Sequence, residues 1–449
     1  MSYPKRFLFL MPTGSIAGGV ETWLDEIYEY LTTEKFEVLV GLLRGQQFNQ
    51  PERYRAVHPQ LKTIEVDGRG CNREGRVRAL MRCIEGVNPD IVIPLGIADA
   101  YEAGIRSKQK GLDTRLVIHA QGNLKPMLAD LRSYRDGIDQ VICPGELTKR
   151  VLINWGGFPS DRVAHIPNGA NQPIYNLQRP ISSGDAKPIR IGYIGRLTTL
   201  DKRSPDLITL YQELEKLNLN YQLDIVGDGP CFAQLNEALG KAPQVKLHGA
   251  LSRQVVDQEI FPNLDVLILL SSSEAFGIVI VEALMHGVIP VTSRYVGFYA
   301  EGLVKENETG LSFPVGDMAG AAQQIQRLAE DGDLRHRLSN NGQVHGQPYT
   351  WESSLTSWKM ALEQVMARPP LLSSSPLPKI PTTTGRLEQL GIPASVIDGL
   401  RRLRRFLLGS PIPPGGEEWP LFYRHHSESL LEEISQVLKD LDTADLLNL

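Results

Sequence analysis

Cysteine is scarce in this sequence and is never grouped. The four cysteines, Cys71, Cys83, Cys143 and Cys231, are scattered over 449 residues, and none forms a CxxC pair or a cluster with histidine. This spacing excludes the usual sequence patterns of a structural zinc site and of a disulfide framework. It is typical of a protein that is kept in a reducing compartment.

A dominant charge and a long apolar run are also lacking. The chain has 47 Lys+Arg against 52 Asp+Glu, so no strong field attracts a nucleic acid, and we expect no nucleic-acid partner. No apolar run approaches the roughly 20 residues that span a bilayer. The N-terminal run "FLFLM" (7–11) is shorter than the roughly 7–15 residues of a signal-peptide core and predicts a buried first strand instead. We therefore expect a cytoplasmic protein.

What the chain does have is a regular alternation of short apolar runs with helical patterns. In its first part the predicted strands lie at 6–11, 36–43, 90–96, 115–122, 140–145 and 162–169. Strands that are apolar on both faces and separated by helices predict parallel βαβ units with both faces of the sheet covered. We predict a first doubly wound, Rossmann-like domain at 1–175.

A polar segment rich in Pro, Ser and Gly at 171–188 predicts a linker. The alternation then restarts, with predicted strands at 189–195, 221–229, 244–251, 264–271 and 288–293. This pattern predicts a second Rossmann-like domain at 186–350. The expected architecture is α/β, with two doubly wound domains facing across a cleft, because ligands of open α/β sheets bind outside the carboxyl ends of the strands.

The chain after the second domain changes in composition. A helix at 351–367 is predicted to pack back on the first domain, and 368–385, with five prolines and many Ser and Thr, predicts an exposed linker. Residues 386–449 predict a helical C-terminal extension. Within it, 396–409 combines leucines with four arginines, which predicts either peripheral contact with an anionic membrane or docking on the protein or a partner subunit.

The densest pattern is "SSSEAFGIVIVEALMHGVIPV", which begins at Ser271. It predicts a turn that carries Glu274, then a buried helix that starts near Gly277 and contains Glu282. Unpaired amides at a helix N-terminus attract anions, and carboxylates accept hydrogen bonds from vicinal diols. A nucleotide sugar has both features, although a helix-dipole partner or a solvated face also explains such glutamates. If Glu282 is buried, it needs a partner.

Cations and glycines lie at other predicted strand ends. Arg196 follows the strand at 189–195, and Lys202 lies six residues later; both suit phosphate oxygens, and both also suit an ordinary surface. Gly18 and Gly19 lie in a Gly-rich loop without the GxGxxG fingerprint. They are consistent with a close approach to a phosphate or a sugar, or with a tight turn.

Three further patterns have mainly structural interpretations. His119 ends a predicted strand, and Gly227 lies in the glycine turn "IVGDGP" (225–230), which is also consistent with a wall of a base pocket. "DGD" at 331–333 looks like a metal-binding DxD motif but lies between two predicted helices. We interpret it as helix capping and expect no metal site.

Over about residues 5–365 the sequence resembles glycosyltransferase family 4, the retaining nucleotide-sugar transferases of GT-B fold. The resemblance rests on "GGVE" (18–21), His119, "IPNGAN" (166–171), "IGRL" with Lys202, "IVGDGP" and, above all, the E-x7-E segment "SEAFGIVIVEALMHGVIPV". The sequence departs from the family pattern at Pro144, at Asn171 and at "KRS" (202–204). Residues 368–449 lie outside the resemblance.

The resemblance implies transfer of a sugar from a nucleotide-diphosphate sugar, with retention at the anomeric carbon and without a metal ion or other cofactor. It implies that Arg196 and Lys202 neutralise the diphosphate and that Glu282 holds the ribose. Such cations stabilise the charge that develops on a leaving diphosphate. A glycan, a lipid or a small molecule is the expected acceptor.

The resemblance also implies contacts to the transferred sugar from Glu274 and from the amides of Phe276 and Gly277. It places Gly19 near the phosphates and His119 near the reacting carbon. The expected catalytic residues are His119, Arg196, Lys202 and Glu274. The expected donor-binding residues are Gly18, Gly19, Arg196, Lys202, Gly227, Phe276, Gly277, Ile278 and Glu282.

Two alternatives stay open at this point. A GT-B nucleotide-sugar epimerase uses the same kind of donor and releases the epimerised sugar without an acceptor. A non-catalytic sugar-binding or scaffold protein keeps the fold without turnover.

Overall fold

The computed structural model describes residues 4–16, 18–45, 47–69, 72–173, 187–373, 375–378, 380, 392–408, 419–423 and 425–448. The chain divides into two compact units. The first comprises Met1–Pro144, Thr148–Ile166 and Leu355–Val437, and the second comprises Gly145–Leu147, Pro167–Ser354 and Leu438–Leu449.

The first unit is built on a parallel sheet. Among the described residues its strands are β1 (Arg6–Pro12), β2 (Glu37–Arg44), β3 (Thr63–Asp67), β4 (Ile91–Pro94), β5 (Arg115–His119), β6 (Gln140–Cys143) and β7 (Val163–His165). Their order is β3-β2-β1-β4-β5-β6-β7, and neighbouring strands are parallel. The winding reverses between β1 and β4, which confirms a doubly wound sheet. The sequence did not predict β3.

Helices connect these strands and cover the sheet. They are α1 (Gly19–Thr33), α2 (Pro51–Val57), α3 (Arg73–Val87), α4 (Ala98–Gln109), α5 (Lys125–Tyr134) and α6 (Glu146–Asn154). Local sequence sets several ends: the Asn72 side chain accepts the Gly75 amide at the start of α3, and Asn88 ends it in the left-handed region. The apolar segment 7–11 is buried on both faces, as expected of a central strand.

The second unit repeats this plan. Among the described residues its strands are β8 (Ile189–Ile194), β9 (Tyr221–Val226), β10 (Val245–Gly249), β11 (Val266–Leu269), β12 (Ile289–Ser293) and β13 (Leu311–Phe313). The parallel order is β10-β9-β8-β11-β12-β13. This confirms the second Rossmann-like sheet, to which β13 is an addition that the sequence did not predict.

The helices of the second half of the chain follow in order. They are α7 (Asp206–Lys216), α8 (Phe232–Leu239), α9 (Arg253–Val255), α10 (Ile278–Met285), α11 (Phe298–Glu301), α12 (Met318–Glu330), α13 (Gly332–Gly346) and α14 (Trp351–Met366). The Asp331 carboxylate accepts the Leu334 amide at 2.8 Å at the start of α13. The interpretation of "DGD" as helix capping is therefore confirmed.

The C-terminal part of the chain is helical, as predicted, with α15 (Ala394–Leu408) and α16 (Glu428–Asp442). The described part of the predicted exposed linker at 368–385 is tied to the first unit, because the Leu371 amide donates to Asp139 at 2.5 Å and the Ser375 hydroxyl to Asp136 at 2.8 Å. Residues 174–186 of the other predicted linker lie outside the described residues.

The described part of the chain contains neither a membrane-spanning helix nor a disulfide. No described helix combines the length and the apolar character needed to cross a bilayer. Cys83, Cys143 and Cys231 are free thiols, and Cys71 lies outside the described residues.

Candidate functional site

Two of the predicted site residues, Lys202 and Glu274, contact each other beyond the ends of β8 and β11. Glu274 follows β11, and its carboxylate accepts the Ser271 hydroxyl at 2.5 Å and Lys202 Nζ at 2.6 Å. Glu274 is 9% exposed. Since β8 and β11 are paired neighbours, the sheet brings the lysine and the glutamate together from positions 72 residues apart.

The loop that carries Lys202 is held against the loop that carries Glu274. The Ser272 amide donates to the Asp201 carbonyl at 2.8 Å, and the Asp201 carboxylate pairs with Arg196 at 2.6 Å. The Arg196 side chain is 68% exposed, so it can change partners at little desolvation cost. Both predicted phosphate-binding cations therefore pair with carboxylates in the structure.

Helix α10 begins directly after this loop. Its N-cap, Gly277, has φ 89°, a left-handed conformation that suits glycine, and an added Cβ atom would lie 2.9 Å from Ile280. Phe276 is buried and packs on Tyr349 with ring centroids 5.6 Å apart. No described side chain caps the helix. Helix α10 thus begins four residues after Glu274, and its N-terminus carries a partial positive charge.

Glu282 has a partner that the sequence did not identify. It is 3% exposed and forms an ion pair with Arg253. Arg253 also pairs with Asp257 at 3.1 Å, and Asp257 accepts the Asn171 side-chain amide at 2.9 Å. Burial raises the pKa of the Glu282 carboxyl to about 7, although the Arg253 charge acts in the opposite direction.

This chain of contacts accounts for one departure from the family pattern. Asn171 stands where aspartate is common, and here it donates to a carboxylate. An aspartate at 171 would bring a second negative charge against Asp257. The amide is therefore the residue that fits this network.

The need for glycine at position 227 follows from the local backbone of the fold. Its φ is 141°, and an added Cβ atom would lie 1.9 Å from the Gly195 carbonyl oxygen. The Gly195 amide donates to Val226 and the Gly227 amide to Gly249, at 3.0 and 2.8 Å. The glycine lets these strand ends approach each other, so its predicted contact with the donor stays a prediction.

The remaining predicted residues, Gly18, Gly19 and His119, belong to the first unit. An added Cβ atom on Gly19 would meet no described atom within 4 Å, whereas on Gly18 it would lie 2.8 Å from the Glu21 carboxylate. The surface at Gly19 is therefore open. The approach of Gly19 to a phosphate stays a prediction.

His119 lies in an aromatic cluster of the first unit. Its ring is 4.2 Å from the Trp23 ring and 5.0 Å from the Trp358 ring, between centroids, and the residue is 4% exposed. Burial lowers the pKa of the imidazole to about 3. His119 is therefore neutral near pH 7 and is not a cation there; its contact with a sugar stays a prediction.

Sequence reasoning found the glutamates and cations but missed the side chains that hold them. The missed residues are Asp201, Arg253, Asp257 and Ser271. Ser271 lies in the same motif as Glu274, three residues before it. Its hydroxyl was therefore a signal, available in the sequence, of a hydrogen-bond partner for Glu274. The other three are ordinary surface residue types whose role depends on tertiary placement.

Two family models match the chain, one on each half. Residues 17–172 match "Glycosyltransferase Family 4", and residues 176–345 match "Glycosyl transferases group 1". Together they cover the strands from β2 to β13, and they leave out β1 and the C-terminal extension.

Curated relatives share moderate identity with parts of the chain. The sulfoquinovosyl transferase SQD2 of Arabidopsis thaliana is 22% identical over 54% of this chain and 48% of its own length. The N-acetyl-alpha-D-glucosaminyl L-malate synthase of Bacillus anthracis is 29% identical over 30% of this chain and 35% of its own length. The chain thus spans about half, or less, of the length of these relatives.

A solved structure has the same fold. Anabaena HepE in complex with UDP-glucose aligns with a TM-score of 0.63 and 21% identity, over 80% of this chain and 99% of its own. The two family models and this similarity confirm the predicted family and the two-domain GT-B fold. The chain belongs to glycosyltransferase family 4.

Proposed function

We propose that this protein transfers a sugar from a nucleotide-diphosphate sugar to an acceptor hydroxyl, with retention of anomeric configuration and without a metal ion at the diphosphate. One observation carries the proposal: Lys202 and Glu274 meet 2.6 Å apart beside the uncapped N-terminus of α10. A lysine and the amides of a helix N-terminus suit a diphosphate, and the adjacent carboxylate suits sugar hydroxyls.

The proposed reaction breaks the bond between the anomeric carbon and the diphosphate oxygen. The acceptor oxygen forms the new bond on the same face, and its proton passes to the departing phosphate oxygen. Lys202 and Arg196 stabilise the charge of the leaving diphosphate. Glu274 already accepts from Lys202 and Ser271, so we assign it to positioning the sugar rather than to nucleophilic attack. Glu282 is proposed to accept the ribose hydroxyls.

A thermal-shift panel of UDP-, GDP- and ADP-sugars tests donor binding, because a ligand that binds the folded state raises its melting temperature. UDP-glucose is the first choice, since HepE was solved with it. We expect one nucleotide class to raise the melting temperature of the wild type and not of Lys202→Met. Lys216→Met, an exposed lysine of the same unit, is the matched control. No shift with any nucleotide sugar contradicts the proposal.

Product analysis separates the remaining alternatives. Retaining transfer is supported if an α-linked donor gives an α-linked product together with nucleoside diphosphate. Metal-free transfer is supported if a chelator does not change the rate of this reaction. Free epimerised sugar without an acceptor indicates the epimerase. Donor binding without any release of nucleoside diphosphate indicates the sugar-binding scaffold.

We also propose that the protein works at the cytoplasmic face of a membrane and contacts it through 396–409. Helix α15 exposes an apolar face at Val396, Leu400, Leu403 and Leu407, whose exposed fractions run from 48% to 66%. Ile397 is buried, which leaves this face pointing away from the unit. Four arginines lie at 401–405 in the sequence, so an anionic bilayer surface matches the helix in both charge and apolarity.

Vesicle sedimentation tests the membrane contact. We expect the wild type to sediment with vesicles that contain phosphatidylglycerol and not with pure phosphatidylcholine, and Leu400→Asp/Leu403→Asp to remain in the supernatant. Val344→Asp, which replaces an exposed apolar residue on α13, is the control. The membrane contact is contradicted if all variants sediment equally or if the wild type does not sediment at all. A concentration-dependent dimer that the two aspartates abolish would instead show that the apolar face of α15 binds a second copy of the chain.

A further inference from the structure

The C-terminal extension joins the first unit where the strands of its sheet end. Trp419 donates from its indole nitrogen to the Arg44 carbonyl at the end of β2, at 3.1 Å, and is part of the core beneath. The Pro420 carbonyl accepts the Ala98 amide at the start of α4, at 3.0 Å. The Tyr423 hydroxyl donates to the Asp99 carboxylate at 2.6 Å. These contacts fix the chain just before a pair of histidines.

Those histidines, His425 and His426, meet a carboxylate of the first unit. His426 Nε2 lies 2.8 Å from Asp130 Oδ1, and the two imidazole ring centroids are 4.3 Å apart. One donor atom from each of the three residues lies within 4.8 Å of the other two. Among the described residues, the fold thus brings together three side chains of types that bind metals, from segments about 295 positions apart.

The Asp130 carboxylate is held in a fixed orientation that suits a metal ligand. Asp130 is fully buried, and its second oxygen accepts the Tyr423 amide at 2.9 Å. Such a hydrogen bond to the outer oxygen fixes the orientation of a metal-bound carboxylate. His426 is nearly buried, with 5% of its side chain exposed. The Arg73 guanidinium stacks on the Tyr423 ring and is already paired with Glu102.

We propose that Asp130, His425 and His426 bind one zinc ion, which clips the extension to the first unit. Two imidazoles and one carboxylate form a donor set that zinc prefers, and water completes a tetrahedron. Zinc bonds of about 2.0–2.1 Å require donor atoms roughly 3.3 Å apart, so the most distant pair must close by at most roughly 1.5 Å. His425 is exposed and is free to make that movement.

The chemistry of this clip differs from that of the proposed donor site. Zinc replaces the hydrogen bond between His426 and Asp130, and any proton on His426 Nε2 leaves for solvent. None of the three ligands belongs to the residues proposed to hold the donor. The metal therefore stabilises the docked extension and takes no part in the transfer step.

The test uses the full chain without an affinity tag, stripped with a chelator and then titrated with zinc, and with cobalt as a visible probe. We expect the wild type to bind one ion. Asp130→Asn keeps an acceptor for the Tyr423 amide, and His425→Ala removes an exposed side chain, so both variants should fold. We expect each to weaken binding at least tenfold, while His336→Ala, an exposed histidine of α13, binds as the wild type does.

A second readout is the thermal midpoint of unfolding. Zinc should raise it for the wild type and for His336→Ala, and should leave it unchanged for His425→Ala. Absence of zinc binding by the wild type overturns the proposal and leaves a hydrogen-bonded His426–Asp130 pair. Binding that all variants share overturns it as well. Donor binding is measured separately with nucleotide sugars, so failure of one proposal does not disguise failure of the other.

Discussion

Lys202 Nζ lies 2.6 Å from Glu274 Oε1, and the two residues follow neighbouring strands of one sheet. The Glu274 carboxylate thus holds the Lys202 ammonium group in place. A diphosphate offers a lysine more negative charge than one carboxylate does. We therefore expect donor binding to draw Lys202 towards the phosphates and to release Glu274 for a sugar hydroxyl.

Lys202→Met should strongly reduce turnover. The variant keeps most of the side-chain volume and removes one positive charge from the leaving diphosphate, so we expect kcat for release of nucleoside diphosphate to fall about 10²–10³-fold. Steady-state assays on the best donor of the thermal-shift panel measure this. Lys216→Met should retain wild-type kcat. A fall of less than a few-fold for Lys202→Met means that the lysine is only a structural partner of Glu274.

Donor affinity should increase with pH around neutrality. Burial raises the pKa of the Glu282 carboxyl to about 7, and the ionised form accepts hydroxyl hydrogen bonds at both oxygens and more strongly than the protonated form does. We expect the donor Kd to fall roughly tenfold from pH 6 to pH 8. Glu282→Gln should remove this dependence, and His119 should not contribute because its pKa is near 3.

The same raised pKa makes the free energy of unfolding change with pH in the direction opposite to donor affinity. A carboxyl whose pKa is raised in the folded state binds its proton more tightly there. Its contribution to stability is complete below pH 4.5 and is lost as the pH rises to about 7. Isothermal titration for binding and chemical denaturation for stability, each from pH 5 to pH 9, should show the two opposite trends. A pH-independent Kd contradicts the ribose-binding role of ionised Glu282.

The sequence predicts the strands where burial on both faces leaves a continuous apolar signal. Strand β3 was missed because only Val66 is buried in "TIEVD", while Glu65 and Asp67 are exposed. Strand β13 was missed because its three residues, "LSF", include a polar serine and so give no continuous apolar run. The period and length of the apolar pattern thus decide which strands a sequence reveals.

The site was predictable to the extent that its residues share one motif. Glu274, Gly277 and Glu282 lie within nine residues, so their helix and turn define their relation. Arg253 begins the short helix α9, and Asp130 meets His426 from 296 positions away. Nothing local marks those partners, because only the packing of the sheet and of the extension brings them together.

Asn171→Asp should destabilise the second unit. It places a carboxylate where an amide now donates to Asp257 at 2.9 Å, and we expect a loss of about 1–3 kcal/mol in the free energy of unfolding. The double variant Asn171→Asp/Asp257→Asn relieves the repulsion, so a double-mutant cycle should give a favourable coupling of about 0.5–3 kcal/mol. Asn236→Asp, at an exposed position of α8, is the control. Additive effects contradict the contact.

Gly227→Ala should be far more damaging than Gly249→Ala. Both glycines have positive φ, 141° and 69°, but the added Cβ atom overlaps the Gly195 carbonyl oxygen only at Gly227. Gly249→Ala should lose about 1–2 kcal/mol through backbone strain alone, and Gly227→Ala should lose clearly more. Chemical denaturation measures both. Equal losses would show that the approach between Gly227 and Gly195 is not tight in solution.

Asp442→Ala should destabilise the second unit, although Asp442 lies in the C-terminal extension. The Asp442 carboxylate accepts the amides of Gly297, Tyr299 and Ala300 at 3.0, 3.1 and 2.9 Å, at the start of α11. These are charge-assisted hydrogen bonds to a buried carboxylate. Their removal leaves the amides without this acceptor, and we expect a loss of about 2–3 kcal/mol.

Amide hydrogen exchange gives this prediction a local readout. In Asp442→Ala the amides at 297–300 should exchange faster, while those of β8 and β9 stay protected, because only the first turn of α11 loses its cap. Glu432→Ala, an exposed position on the same helix, should change neither exchange nor stability. A chain that ends at 437 should exchange at 297–300 at least as fast as Asp442→Ala. Unchanged protection in both would mean that the end of α16 does not dock on α11 in solution.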